Sequence, residues 1–331
     1  MSFSIDKETI EEGDTVILYL NANSMHAIKV TNCVLNKHGE SVENVFQTTY
    51  GALKVSSLIG TKYGCKVEMS RGWAYVLQPT PELWTLTLPH RTQIIYTPDI
   101  SMIVYQLEIR PGSYVIESGT GSGSLTHALA RRVAPNGYIS TFDFHEHRVN
   151  LAKEEFASHG ISDIVNVGHR DVCSDGFGEE LDGKADAVFL DLPHPWLVIP
   201  HAVKALKTEG GRFCSFSPCI EQVQKTCSTL RRAAFTEITT MECLQREINI
   251  SKRSLPIASL NKEEKKEINE DNNEVAGRAS SKLEENKYNF VASVYANTMP
   301  GHTGYLTFAT LPPSWTRQPS PCSPSPATNS P

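Results

Sequence analysis

Four acids and one run of glycines hold most of the chemistry that this sequence can do. The stretch ESGTGSGS (117–124) sets Glu117 ahead of Gly119, Gly121 and Gly123, with Ser122 and Ser124 beside them. Glycines so spaced let the backbone take positive φ and approach a ligand closely. Where such a turn opens a helix, the free amides of the first helical turn favour a negatively charged ligand group. No Gly-Lys-Ser/Thr follows, so this is not a P-loop, and G-x-G-x-G departs from the dinucleotide spacing G-x-G-x-x-G. Asp143 stands 22 residues beyond Gly121, where an acid can take two ribose hydroxyls. Asp171 and Asp191 close two later strand-like runs. Read singly, each acid is equally a solvated loop carboxylate, Asp171 above all. Together, on the carboxyl edge of one sheet, they describe the crevice where open α/β sheets bind ligands.

Two cofactors suit that crevice, a nicotinamide dinucleotide and S-adenosylmethionine. The segment DLPHPW (191–196) separates them. Its two prolines fix φ and restrict their neighbours, so Asp191 rides on a stiff loop. Such a loop can present a carboxylate to a planar ring lying against Pro193 and stacked on Trp196. That arrangement suits methyl transfer to a nucleobase and offers little to hydride transfer. The structural alternative is a rigid turn around a core tryptophan.

Residues 1–90 read as a small β-rich domain. GDTVILYL, AIKV, KYGCKVEM and GWAYVLQ are short strand-like runs between Gly, Asn and Ser turns. Residues 79–112 form a connector that feeds a helix over 98–109, stopped by Pro111 and Gly112. From Ser113 strands and helices alternate: strands at 113–119, 138–144, 164–168, 185–190 and 211–217, helices at 121–134, 146–159, 196–207 and 220–234. That alternation predicts an α/β fold with a doubly wound, mostly parallel sheet covered on both faces. Residues 262–287 hold eight acids and six bases with almost no large apolar group, so 250–297 reads as a disordered or loosely helical insert. The sheet resumes with GHTGYLTFA (301–309), closing a domain of 91–311, and 312–331 reads as an unfolded Pro/Ser tail.

The chain has 331 residues, 40% of them hydrophobic, which is ample for a core and excludes a wholly disordered protein. No apolar run approaches the roughly 20 residues that span a bilayer, and the start MSFSIDKETI lacks the pattern of a secretory signal. Eight scattered cysteines without a Cys-x-x-Cys pair fit reduced thiols rather than a zinc site or a disulfide scaffold, and no metal is expected. The net charge of −6 argues against a protein that grips nucleic acid by its overall charge.

ESGTGSGS (117–124), DLPHPW (191–196), PTPELWTLTLPHRTQIIY (79–96), FCSFSPCIEQVQ (213–224) and GHTGYLTFA (301–309) together resemble the catalytic subunits of the eukaryotic tRNA (adenine-58-N1) methyltransferases. The likeness covers residues 1–245 and 301–309. It implies a class I (Rossmann-like) methyltransferase domain behind a small N-terminal β domain, with S-adenosyl-L-methionine as cofactor. Cofactor contacts would fall on Gln93, on Glu117, Gly119, Gly121, Ser122, Gly123, Ser124 and Leu125, on Asp143 and Arg148, and on Asp171, Val172 and Asp191. Asp191 would be the base-facing catalytic acid. The family usually has Glu where this chain has Asp143, so that acid would reach a ribose less directly or through water. His194 holds a variable position and has no catalytic role. The resemblance further implies a tRNA substrate, a heterotetramer with two non-catalytic subunits, and a nuclear location, for which the sequence itself carries no decisive signal.

Rival activities are a methyltransferase acting on another RNA base or a protein carboxyl, and a non-catalytic RNA-binding subunit that has kept the fold. Lys54, Lys62, Lys66, Arg71 and Arg91 are the bases available for phosphate contacts in or beside the N-terminal domain. A chain whose net charge is −6 is expected to leave much of the RNA grip to a partner subunit.

Overall fold

The structure is a computed structural model, and it describes residues 3, 6–246, 248–257, 287–295, 298, 301 and 304–317. The chain divides into two compact units. One runs to Cys243 and resumes with the last strand, and the other lies between Leu244 and Gly301.

The first unit opens with short strands: β1 (Thr15–Asn21), β2 (Ser24–Lys29), β3 (Cys33–Leu35), β4 (Ser41–Glu43), β5 (Val45–Thr48), β6 (Gly51–Lys54), β7 (Lys66–Glu68) and β8 (Trp73–Leu77). β2-β1-β8-β7 form an antiparallel sheet, and β3–β4 and β5–β6 are separate two-stranded ribbons. Alternation builds the sheet's core. In WAYVL, Ala74 and Val76 are buried while Trp73 and Tyr75 are exposed, the period of two that puts successive side chains on opposite faces. The small ribbons are missing from the sequence expectation because three or four residues are too few to show a period.

The connector is better ordered than expected. It contains α1 (Pro81–Thr87), whose start is written in TPEL. Thr80 caps the helix by accepting from the Leu83 amide (3.3 Å), and Pro81 stands in the first turn, where no amide is needed. α2 (Thr97–Gln106) follows, ending three residues before the expected boundary.

The larger sheet then assembles from β9 (Tyr114–Ser118), α3 (Ser124–Val133), β10 (Tyr138–Asp143), α4 (Glu146–His159), β11 (Val165–His169), α5 (Val172–Asp175), β12 (Ala187–Asp191), α6 (Pro195–Ala205), β13 (Gly211–Ser217), α7 (Ile220–Arg232) and β14 (Thr236–Met241). The second unit is an antiparallel hairpin of β15 (Ile248–Pro256) and β16 (Lys287–Tyr295), after which β17 (Tyr305–Leu311) returns to the sheet. Strand order is β11-β10-β9-β12-β13-β17-β14. The first five are parallel, and β17 runs antiparallel between β13 and β14. This is the α/β fold with a mostly parallel sheet that the alternation predicts.

Both faces of the sheet are buried. Val115, Ile139, Phe189, Cys214 and Phe308 pack under the helical residues Ile103, Leu129 and Phe156. Ile116, Val188, Leu190 and Phe213 pack against Val198, Ile199, Ala202 and Leu230. Phe156, Phe189 and Phe213 are fully buried, each stabilising the fold by roughly 1.5–3 kcal/mol.

The hairpin corrects the expectation of a disordered or loosely helical insert over 250–297 at its two flanks, 250–256 and 287–295. Its ends alternate β-branched or aromatic residues with polar ones, INISKRSLP against KYNFVASVY, paired from Ile248↔Tyr295 to Pro256↔Lys287. The charge run that dominated the composition lies almost wholly in 258–286, outside the described residues, as does the expected tail from 318 onward. Among the described residues all seven cysteines are free, and no helix is long and apolar enough to cross a membrane.

Candidate active site

The carboxyl ends of β9, β10 and β12 converge on a cavity of about 240 Å³. Its lining comprises Thr92, Gln93, Ile94 and Ile95, then Glu117, residues 119–125, Asp143 and Arg148, and finally Phe189 and Asp191. Glu117, Phe189 and Asp191 share one face of the sheet: Phe189 lies directly across from Glu117 in the ladder and two residues before Asp191.

The glycine turn is bound tightly to its surroundings. Gly119, Gly121 and Gly123 all have positive φ, at 100°, 53° and 75°. A Cβ on Gly119 would stand 2.4 Å from the Asp191 carbonyl oxygen, so only glycine lets the turn pass against the end of β12. Most of the turn's amides ahead of the helix are not free for a ligand. Gly119 and Thr120 donate to the Phe142 carbonyl (2.8 and 3.2 Å), Gly123 to the Thr120 carbonyl (2.8 Å), and Gly121 to the Asp143 carboxylate (3.0 Å). The donors left toward the cavity are those at the start of α3, where helix geometry supplies no acceptor and Ser124 and Leu125 line the wall.

Two serines of the turn serve the connector. Ser122 Oγ accepts from the Arg91 and Thr92 amides (2.9 and 3.1 Å), and Ser124 Oγ donates to the Ile95 carbonyl (3.0 Å). Residues 91–95 are thereby strapped across the turn, and this strap brings Gln93 to the cavity wall. Arg91 donates to Glu155 (2.9 Å) and to the Ser122 carbonyl (3.3 Å). Its guanidinium is only 17% exposed, so Arg91 belongs to the support of the site and not to the bases available for RNA phosphates. Lys54 and Lys62 are paired with Glu43 and Glu8, and Lys66 lies over the Trp73 ring, 4.2 Å from its centre.

The acids differ in environment. Glu117 is fully buried and accepts from Thr126 Oγ1 (2.7 Å), yet burial outweighs that bond and pushes its pKa up to about 7. Burial alone raises Asp191 to about 6. Asp143 is held by its neighbours: it accepts from the His145 amide (2.9 Å), from Arg148 Nη2 (2.8 Å) and Nε (3.1 Å), and from Gly121. With the shorter Asp at this position, the carboxylate closes on the turn and on Arg148.

Some expected site residues stand apart from the cavity. Asp171 caps α5, accepting from the Cys173 amide (3.0 Å) and Ser174 Oγ (3.0 Å), and Val172 is buried in the core. The Pro193 carbonyl accepts from Gln222 Nε2 (2.9 Å). Trp196 is half-buried, edge-on to His194 and covered by Lys225 at 4.7 Å. Conversely, Thr92, Ile94, Ile95 and Phe189 line the cavity without having been singled out. Phe189 was findable, being two residues before Asp191 on the same strand face. The strap residues needed the Ser122 and Ser124 bonds.

The sequence profile of the tRNA methyltransferase complex GCD14 subunit matches residues 72–311. The chain belongs to this family. Similar proteins of the family include the tRNA (adenine(58)-N(1))-methyltransferase catalytic subunit trmt61a of Dictyostelium discoideum, 38% identical over 325 residues that cover 92% of this chain and 97% of that protein. The catalytic subunit TRM61 of Candida albicans is 40% identical over 342 residues, covering 93% and 98%. Against the TRM61 of Cryptococcus neoformans var. neoformans the identity is 49% over 241 residues, 72% of this chain but 53% of that protein, so the chain spans about half the length of that relative. Among solved structures, the fold is similar to a SAM-dependent O-methyltransferase from Thermotoga maritima (TM-score 0.69, 25% identity, 92% and 94% of the two chains). It is also similar to the tRNA (m1A58) methyltransferase TrmI from Aquifex aeolicus (TM-score 0.65, 22% identity, 92% and 98%).

Proposed function

We propose that the chain is the S-adenosyl-L-methionine-dependent catalytic subunit that methylates N1 of adenosine 58 in tRNA. The observation that carries this reading is the pair of a buried Glu117 and a half-buried Asp191, two carboxylates with raised pKa on one cavity behind the family's glycine turn. Arg148, the one cation in the cavity lining, is already committed to Asp143. Such a site favours a ligand with positive charge to offset the burial of its acids. S-adenosyl-L-methionine, which carries both an ammonium and a sulfonium, fits that donor set and supplies a methyl group on positively charged sulfur. Gln93, Glu117, the start of α3, Asp143 and Arg148 are the residues that would hold it.

Adenine N1 has a lone pair and needs no base to unmask it. What the reaction needs is an oriented base and stabilisation of the positive charge that the ring acquires. The Asp191 carboxylate, accepting a hydrogen bond from the 6-amino group, does both, and burial strengthens it because less water screens the charge. Pro193 and His194 are exposed on the loop beside it, available to the edge of an incoming base.

N1 lies on the Watson–Crick edge, so the base must leave its stack at a cost of a few kcal/mol. Contacts with the RNA backbone have to offset that cost. This chain is acidic overall, with a net charge of −6, and Arg91 is enclosed against Glu155. We infer that a second, non-catalytic subunit supplies much of the phosphate grip, in an α2β2 heterotetramer located in the nucleus. The family resemblance supports both points. The test is nucleoside mass spectrometry after incubation with a tRNA transcript, with and without the second subunit, and with the target adenosine mutated. N1-methyladenosine that depends on that adenosine and on the partner is the expected result. Methylation of another base, or none with both subunits present, would overturn the reading.

A further inference from the structure

One helical turn into α3, His127 makes two hydrogen bonds that the methyl-transfer chemistry does not use. Its Nδ1 lies 2.7 Å from the carbonyl oxygen of Gly123, and its Nε2 lies 2.8 Å from Nδ1 of His159 on α4. Both rings are almost wholly buried, and burial pushes their pKa values down, to about 4 for His127 and about 2 for His159, so both are neutral near pH 7. The bonding pattern then fixes the protons. A carbonyl only accepts, so Nδ1 of His127 carries the hydrogen and Nε2 is left with a lone pair. His159 must meet that lone pair with its own Nδ1–H.

Aromatic rings hold the pair in place. Phe3 packs on His127 and His159 at 4.8 and 4.5 Å, Trp84 stands edge-on to His159 at 4.7 Å, and Phe156 edge-on to His127 at 5.2 Å. Phe156 also closes over Gly123, where a Cβ would come within 3.0 Å of its ring.

The carbonyl so held belongs to the N-cap of α3, a glycine at φ 75° with no side chain to define its orientation. It also accepts the His127 amide, at 3.2 Å. In a planar trans peptide the C=O and the following N–H point in opposite directions. Drawing the Gly123 oxygen down the helix therefore aims the Ser124 amide outward, to the cavity wall that Ser124 lines.

We propose that His127 is a positioning residue for the cofactor turn: it fixes the Gly123 carbonyl and hence the Ser124 amide, and His159 selects the tautomer of His127 that does so. The proposal rests on the cavity being the S-adenosyl-L-methionine site. A metal triad is the competing reading, since His127, His159 and Glu155 bring ligand atoms within 4.8 Å of one another. One observation opposes it. The nitrogens at 2.8 Å are closer than the roughly 3.3 Å that separates ligands on a tetrahedral zinc with bonds of about 2.0–2.1 Å.

The test compares His127→Leu, which removes the donor, with His127→Asn, whose side-chain amide can donate at the place of Nδ1. S-adenosyl-L-methionine is titrated into the full chain by calorimetry, and amide exchange is followed over residues 121–127 without ligand. The expected result is affinity weakened roughly tenfold and faster exchange in His127→Leu, with both restored to within about threefold in His127→Asn. His159→Leu should give an intermediate loss, and it stands in if His127→Leu fails to fold. Equal behaviour of Leu and Asn variants that both fold, no change in either, or stoichiometric zinc in the purified chain would overturn the proposal. A wild-type chain that bound no S-adenosyl-L-methionine would instead sink the functional reading, and the exchange comparison would still decide the role of His127.

Discussion

Replacing Glu117 by Gln should make the ligand-free protein more stable, and by an amount that depends on pH. Glu117 is fully buried, and its pKa is raised from 4.5 to about 7, first by burial, with Asp191 and Asp143 adding to it. At about 1.36 kcal/mol per pH unit the difference corresponds to about 3 kcal/mol. The sign follows from linkage. Below pH 4.5 the carboxyl is neutral whether the chain is folded or not, so wild type and Glu117→Gln are equally stable. Between pH 4.5 and about 7 the folded state keeps a proton that the unfolded state has lost, so wild type falls progressively behind, and above about 7 the full cost is present. Gln keeps the shape and still accepts from Thr126, so little else changes. Thermal unfolding of the ligand-free chain at intervals from pH 5 to pH 8 should show a gap in favour of Glu117→Gln that widens up to about pH 7 and then levels off, reaching roughly 6–12 °C at about 2–4 °C per kcal/mol. Saturating S-adenosyl-L-methionine should close or reverse the gap, because the acid is there for a cation. A gap that stays constant across that range, or a wild type more stable at pH 8, would refute the idea that Glu117 holds an uncompensated buried charge.

Other outcomes follow from the same geometry. Asp191→Asn should lower single-turnover methylation of tRNA by roughly 10²–10³ at saturating cofactor, and the wild-type rate should rise with pH through about 6 as Asp191 ionises; near-normal turnover would remove Asp191 from the chemistry. Gly119→Ala should cost more than about 2 kcal/mol in denaturant unfolding, since its Cβ meets the Asp191 backbone at 2.4 Å and φ is 100°; unchanged stability would mean that the turn has another low-energy path. Arg91→Ala should weaken S-adenosyl-L-methionine binding about tenfold and leave tRNA affinity within twofold in filter binding, because it holds Ser122 and Glu155 from within. The reverse split would return Arg91 to the RNA surface.

Much of this site is legible in the residues, and the rest is hidden for definite physical reasons. The parallel strands announce themselves because apolar runs such as AVFLD are buried on both faces, and the acids at their carboxyl ends are ordered by chain direction alone. Glu117, the glycine turn, Asp143 and Asp191 therefore come together as their spacing implies. Arg91 misled because a single charged letter carries no information about a partner 64 residues away; only the fold sets it against Glu155. Ser122 and Ser124 look like ligand contacts in a string of letters, yet their hydroxyls are spent on holding the strap. The insert went the other way. A composition averaged over 262–287 hid the alternating runs that flank it, which pair as a ribbon.

The placement of β17 also has a consequence for how the sheet can be completed. Among the described residues β14 has one neighbour in the sheet, β17, and the two are separated by residues 242–304. During synthesis β14 must wait, both edges bare, until the strand beyond the hairpin is made and slots between β14 and β13. The wait lengthens with every residue added to the intervening segment, but its free-energy cost grows only logarithmically, about 0.6 kcal/mol for each doubling. Drift in the length of that segment is therefore nearly invisible to the stability of the finished sheet, and would be felt first in the time for which an unpaired edge stays open to other chains.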